Sequence, residues 1–167
     1  MTPFLRSQLT RALIGHFGLD DRRIEHALEV AKWAERIIDD EGGDRDVVLA
    51  VGLLHDVGII EAEARHGHNT GRMQEEYGPP VVRRILQEIG LEQEKIEEAC
   101  AIVGKHHTAN GVPGPNFAAL WDADLIVNLR DEMPDASREK LASVIEKSFR
   151  TGTGKELARK ALIGPAG

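Results

Sequence analysis

Cysteine is almost missing from this chain of 167 residues: Cys100 stands alone, so no internal disulfide can form and a reducing, cytoplasmic setting is expected. Within EEACAIV it is read as a small buried hydrophobe. Long apolar runs are missing too. No stretch reaches the roughly 18 consecutive apolar residues of a membrane span. In MTPFLRSQLTRALIGHFG, Arg6, Arg11 and His16 interrupt what would have to be the apolar centre of a secretory signal. Basic charge is scarce: 21 Lys and Arg against 28 Asp and Glu leave a net charge of -7, which offers no broad field for a nucleic acid polymer. An anionic substrate would need locally fixed positive charge, and a metal ion is one source of it.

Alternating or β-branched runs of the kind strands require are hard to find, whereas helical periodicity recurs between Gly, Pro and Asp punctuation. The expected fold is all-α and single-domain, with helices at 3–17, 21–40, 45–56, 68–77, 79–89, 92–107, 117–131, 135–150 and 153–163. HTANGVPGPN at 107–116 cannot continue a helix and is expected as a surface loop of the kind that borders sites. TGTGKELARK resembles a nucleotide loop only superficially. The pattern GxxxxGK[ST] is missing and Glu156 follows Lys155, so Thr153 is better read as a helix cap.

What is present is a set of ionisable residues on apolar faces. LLHDVG, at 53–58, closes an apolar run, and on a helical wheel apolar side chains surround the axis of 45–56, leaving His55 and Asp56 no polar face to occupy. A buried ionised aspartate needs a partner. Both side chains lean back over Gly52, where a small ion is expected to fit, and Gly58 is read as the residue just past the helix end. His26 falls beside Val30, Trp33 and Ile37, away from the charged face of its helix, and Asp124 projects with Phe117, Leu120, Trp121 and Asn128. KHHT places His106 and His107 at a helix end, and His68 opens another. Neutralisation around a divalent metal explains these residues jointly. Imidazole and carboxylate ligands suit Fe, Mn, Zn, Ni or Co better than Ca.

The order His26, His55-Asp56, His68, His106-His107, Asp124 resembles the HD-domain superfamily of metal-dependent phosphohydrolases over about residues 20–130, with HDVG close to that superfamily's HDIG form. The resemblance implies an HD-type helical bundle, with helices at 135–163 following the motif-bearing core. It implies His26, His55, Asp56 and Asp124 as ligands of a first metal, with Asp124 preferred to Asp122 as the second aspartate of the DAD segment. His68, with His66 as the alternative, and His107, preferred to His106, are implied at a second metal, with Asp56 bridging. The pattern looks most like the small binuclear branch that includes diadenosine tetraphosphate hydrolases. Ile59 stands where cyclic-di-GMP phosphodiesterases of the HD-GYP type carry lysine, and the HHE and GYP elements are missing, which argues against that substrate.

The implied activity is hydrolysis of a phosphoester or phosphoanhydride of a small, nucleotide-type molecule by metal-activated water. Arg22, Arg23, Arg72 and Lys105, next to implied ligands in sequence, are the candidates for holding phosphate oxygens. His106 is the candidate proton donor to the leaving oxygen, and Asp56 shares the catalytic role. His16, outside the set, is expected to be dispensable. Two alternatives belong to different classes: a di-iron oxygenase of the same superfamily, and a non-catalytic nucleotide-binding sensor. No membrane partner is expected, and a homodimer is compatible with the analogy.

Overall fold

The computed structural model describes residues 2–164. They form α1 (Thr2–Phe17), α2 (Asp21–Glu41), α3 (Arg45–Leu54), α4 (Gly58–His66), α5 (Gly71–Ile89), α6 (Gln93–Val103), α7 (Pro115–Glu132), α8 (Arg138–Ser148) and α9 (Gly152–Ala158), which runs into a π-helical turn at Arg159–Ile163. There is no strand among the described residues, and none of their helices is long and apolar enough to cross a membrane.

Helix α3 is the axis of the bundle. Every residue from Val47 to Leu54 is buried, as an apolar surface on all sides requires, and α1, α2, α6 and α7 pack around it. Its start is fixed by Asp44, whose carboxylate accepts from the backbone N–H groups of Asp46 and Val47. The main core continues through Leu9, Leu13, Val30, Ala34, Leu86 and Phe117. A smaller cluster of Ile126, Leu129, Ile145, Phe149 and Ala158 joins α7 to α8 and α9.

Glycine sets two of the helix crossings. A Cβ on Gly52 would stand 2.7 Å from the Ala31 Cα, so α2 and α3 touch backbone to backbone there. The space over Gly52 is thus filled by α2, not left for an ion. A Cβ on Gly58 would stand 2.7 Å from both the Gln74 carbonyl oxygen and the Gly78 nitrogen. Gly58 therefore does not end α3; it opens α4 and lets α5 approach.

Several boundaries differ from the sequence reading, each for a packing reason. Helix α4 is short, and its polar stretch EAEARH hid it between two stronger patterns; it folds because Ile59 and Ala62 are buried. Pro79 and Pro80 do not divide α5. The roughly 3 kcal/mol that a proline costs inside a helix is opposed here by burial of Gly78, Val82, Ile85 and Leu86 on one face. Helices α3 and α6 stop at Leu54 and Val103, so the His55-Asp56 and His106-His107 pairs lie on the turns that follow. The cap of α9 is Thr151, not Thr153: its hydroxyl accepts from Gly154 N at 2.8 Å. Asp122, fully buried, accepts from Arg150 N at 2.8 Å, Thr151 N at 2.9 Å and Thr151 Oγ1 at 2.7 Å, holding the α8–α9 connection against α7.

Replacing Gly52 with alanine is expected to destabilise the fold by about 1–3 kcal/mol, the usual range for overpacking, with backbone contact placing it at the upper end; urea unfolding measures it. Asp122→Ala leaves the backbone N–H groups of Arg150 and Thr151 without their acceptor and is expected to cost roughly 1–3 kcal/mol, read by the same urea unfolding.

Candidate metal centre

Four elements converge on one point. The second turn of α2 brings His26, the turn after α3 brings His55 and Asp56, the turn after α6 brings His106 and His107, and the middle of α7 brings Asp124. One donor atom from each of His26, His55 and Asp124 lies within 4.8 Å of the others, and the same holds for Asp56, His106 and His107.

The two carboxylate oxygens of Asp56 face different groups. Oδ2 stands 3.4 Å from His26 Nε2 and 3.3 Å from His55 Nε2, while Oδ1 stands 3.6 Å from His106 Nε2. Asp124 Oδ1 lies 3.1 Å from His26 Nε2 and 3.4 Å from His55 Nε2. Asp56 is thus placed between the two groups, as a bridging carboxylate would be.

Two backbone carbonyls orient the rings. His55 Nδ1 lies 2.9 Å from the Gly52 carbonyl oxygen and His106 Nδ1 lies 2.6 Å from that of Val103, the same three-residue reach at the ends of two helices. A carbonyl only accepts, so Nδ1 carries a proton, and in the neutral ring Nε2 presents its lone pair to the interior. His55 is completely buried, and its Nε2 has no hydrogen-bond partner. A buried orphan acceptor beside two carboxylates is costly in a protein interior and fits a divalent cation, whose imidazole ligands commonly donate their other nitrogen to a carbonyl in this way.

The electrostatics run the same way. Burial alone disfavours charge on His55, but the adjacent Asp56 and Asp124 carboxylates outweigh it and hold the imidazole well above its ordinary value. Burial likewise opposes ionisation of Asp56, yet the neighbouring His55 and His106 imidazoles keep it well below the usual carboxylate range. Asp124 is lowered too, since the bond to His26 and the nearby His55 outweigh its burial. His107 is pushed down, first by burial and then by His106, which favours the neutral ring that a metal needs.

The other expected residues divide. His68 is not brought to the centre. Gly67, at φ 75°, ends α4 and turns the chain so that His68 is exposed with its Nδ1 on the His66 carbonyl oxygen at 3.0 Å, and neither donor group includes it. Its alternative, His66, is bonded to the Tyr77 hydroxyl at 2.8 Å. Asn69, not His68, lines the cavity of about 780 Å³ over the centre. Arg22 and Arg23 line it as well, whereas Arg72 and Lys105 are exposed and do not. Arg23 is already engaged, bidentate to Glu63 at 2.7 and 3.2 Å. His106, the candidate proton donor, is 5% exposed and lies outside the cavity lining, grouped with Asp56 and His107. Ile59 also lines the cavity.

Residues without a sequence signal support the centre. Glu75 accepts from His107 N at 2.9 Å and from Thr108 Oγ1 at 2.7 Å, tying the turn after α6 to α5. His16 Nε2 donates to the Val57 carbonyl at 2.7 Å, so this histidine from α1 braces the turn that carries Asp56.

Residues 23–148 match the HD domain family. Among curated proteins, ribonuclease Y of Sulfurovum sp. (strain NBC37-1) is 26% identical over 140 residues, covering 80% of this chain but only 26% of that protein, so the chain spans about a quarter of that relative's length. Among solved structures, a predicted HD superfamily hydrolase from an uncultured Thermotogales bacterium superposes with a TM-score of 0.68 at 21% identity, covering 93% of this chain and 83% of that one, which is a likeness of fold. With the match running through all the segments that carry the metal-ligand candidates, the chain belongs to the HD domain family.

Proposed function

We propose that the protein is a metal-dependent phosphohydrolase acting on a phosphoester or phosphoanhydride of a small, nucleotide-type molecule. The observation that carries this reading is the position of Asp56, whose two oxygens face two separate sets of imidazoles beneath an open cavity. His26, His55, Asp56 and Asp124 would hold one divalent cation, and Asp56, His106 and His107 a second. Bound there, such cations supply Lewis acidity, lowering the pKa of water and polarising a phosphoryl oxygen.

The chain's own residues account for the rest. Arg22 lines the cavity and forms no ion pair among the described residues, so its guanidinium is free to take non-bridging phosphate oxygens. Arg23, held by Glu63 and Asp20, keeps the rim in place and contributes its charge from there. Burial of the His55 and His106 rings keeps bulk water from the rear of the centre.

The size of the substrate follows from the rim. Glu25, Glu29, Asp131 and Glu132 also border the cavity; Glu29 and Asp131 are paired with Arg130, and the remaining Glu25 and Glu132 would repel the flanking phosphates of a long strand, which favours a compact ligand. The resemblance to ribonuclease Y favours a second reading, hydrolysis of an RNA phosphodiester, against which Glu25 and Glu132 weigh.

The deciding experiment strips the protein of metal, restores Fe, Mn, Co, Ni or Zn singly, and assays nucleoside phosphates, dinucleoside polyphosphates and short RNA. Turnover of the small substrates without O₂ is expected; iron-dependent O₂ consumption, or no turnover with any metal, would reject the reading. Asp56→Ala is expected to lose bound metal and lower kcat by roughly 10³-fold or more, the equivalent of several kcal/mol. Arg22→Ala is expected to raise KM roughly tenfold or more, as loss of a charge-assisted hydrogen bond does, with metal content unchanged.

A further inference from the structure

The second donor group contains an amide that the histidine and aspartate pattern does not include. Gln74, on α5 and 8% exposed, places its Oε1 2.7 Å from His107 Nε2 and 3.3 Å from His106 Nε2. Two glycines bring it there. Gly58 lets the Gln74 backbone approach the start of α4, two residues after Asp56, and Gly71 lets the His107 ring lie against α5, since a Cβ there would stand 2.9 Å from His107 Cγ.

The orientation of the amide is dictated from outside the centre. Glu63 is a carboxylate, ionised near neutral pH and pinned in place by its bidentate bond to Arg23, so it only accepts. Asn69 must then donate Nδ2 to it, at 2.9 Å, which leaves Asn69 Oδ1 to accept from Gln74 Nε2 at 2.8 Å. The Gln74 oxygen is thereby forced inward. It meets the lone pair of His106 Nε2, whose other nitrogen is committed to Val103, and the Oδ1 side of Asp56. An amide oxygen, an imidazole lone pair and a carboxylate oxygen aimed at one another repel unless a cation or a proton lies between them. His107 Nε2 can supply one proton, and it cannot serve all three.

We propose that Gln74 is an oxygen ligand of the second metal ion, oriented by the Arg23–Glu63–Asn69 relay, and that it makes this site the weaker of the two. The assignment rests on the metal-centre reading above. The first site has two carboxylates, Asp56 and Asp124, against two imidazoles; the second shares Asp56 and replaces the other carboxylate with a neutral amide. Less negative charge means weaker retention of a dication, and the ions fill in order.

Manganese titration of the metal-free full chain, followed by calorimetry and by electron paramagnetic resonance, tests this. Wild type is expected to take up two ions in separable steps and to give a spin-coupled pair at saturation. Gln74→Leu is expected to keep the first ion and lose the second, leaving the signal of a single Mn. Gln74→Glu, with an oxygen retained and a charge added, is expected to keep two and bind the second more tightly. Asn69→Ala removes no donor atom and is expected to weaken only the second step, roughly tenfold or more, as loss of a supporting bond to a ligand does. Circular dichroism checks that each variant is folded, and Gln74→Glu decides if Gln74→Leu is not. Two ions with unchanged second affinity in the Gln74 and Asn69 variants would overturn the assignment while leaving the metal centre intact. A wild-type chain that binds one ion, lost in Asp124→Ala, would overturn it in the same way. A wild-type chain that binds none would remove the metal centre itself, and the Gln74 assignment with it.

Discussion

Asp56 lies where five imidazole and carboxylate partners meet, and the bundle is arranged so that none of them can be left without compensation. His55 at the end of a wholly apolar helix has no route to water, and in the neutral ring its Nε2 is an acceptor, since Nδ1 donates to Gly52. In such a setting the free energy of folding without a positive charge between the rings would carry the full desolvation of the carboxylates. Either protons or a metal must supply that charge. The raised proton affinity of His55 and the lowered one of Asp56 and Asp124 express the same field that would hold a dication.

That field dictates the packing around it. Helices α2 and α7 flank α3 and carry His26 and Asp124 at the same height, and the Gly52–Ala31 contact sets how closely α2 can lie. A shift of one residue along either helix would rotate its ligand by about 100° and remove it from the cluster. The bonds of Asp122, two residues before Asp124, guard against this on the α7 side by fixing that helix to the α8–α9 connection. The two aspartates of DAD therefore face different sides of α7, one tying the fold and one facing the histidines.

Much of this was legible in the chain because ionisable residues on apolar helix faces are rare enough to be informative. His26, His55, Asp56 and Asp124 are marked by the conflict between their chemistry and their neighbours, His106 and His107 by their place at a helix end, the preference for Asp124 and His107 by the family resemblance, and the helical class by periodicity alone. What was not legible has a common cause. Gln74 and Asn69 are neutral, so they raise no conflict with an apolar face, and their direction depends on Glu63 and Arg23 through space. His68 lies within one residue of Asn69, yet the left-handed turn at Gly67 decides which of the two looks inward. Helix α4 and the unbroken α5 depend on the Gly58–Gly78 crossing, a tertiary contact that overrides local helix preference.

The relay from Arg23 to Gln74 also joins the rim of the cavity to its floor. Arg23 lines the entrance, and its bidentate bond to Glu63 positions that carboxylate to accept from Asn69, which leaves the Asn69 oxygen for the Gln74 amide and turns the Gln74 oxygen inward. A phosphate group at the rim competes with Glu63 for the same guanidinium. To the extent that it wins, Glu63 gains freedom, and the orientation of Gln74 loosens with it. On the proposed reading, a compact substrate bridging Arg22 and the centre would leave the Arg23–Glu63 bond in place, whereas a ligand drawn onto Arg23 would work against the second donor group. The division of labour between the two arginines thus follows from which of them already has a partner.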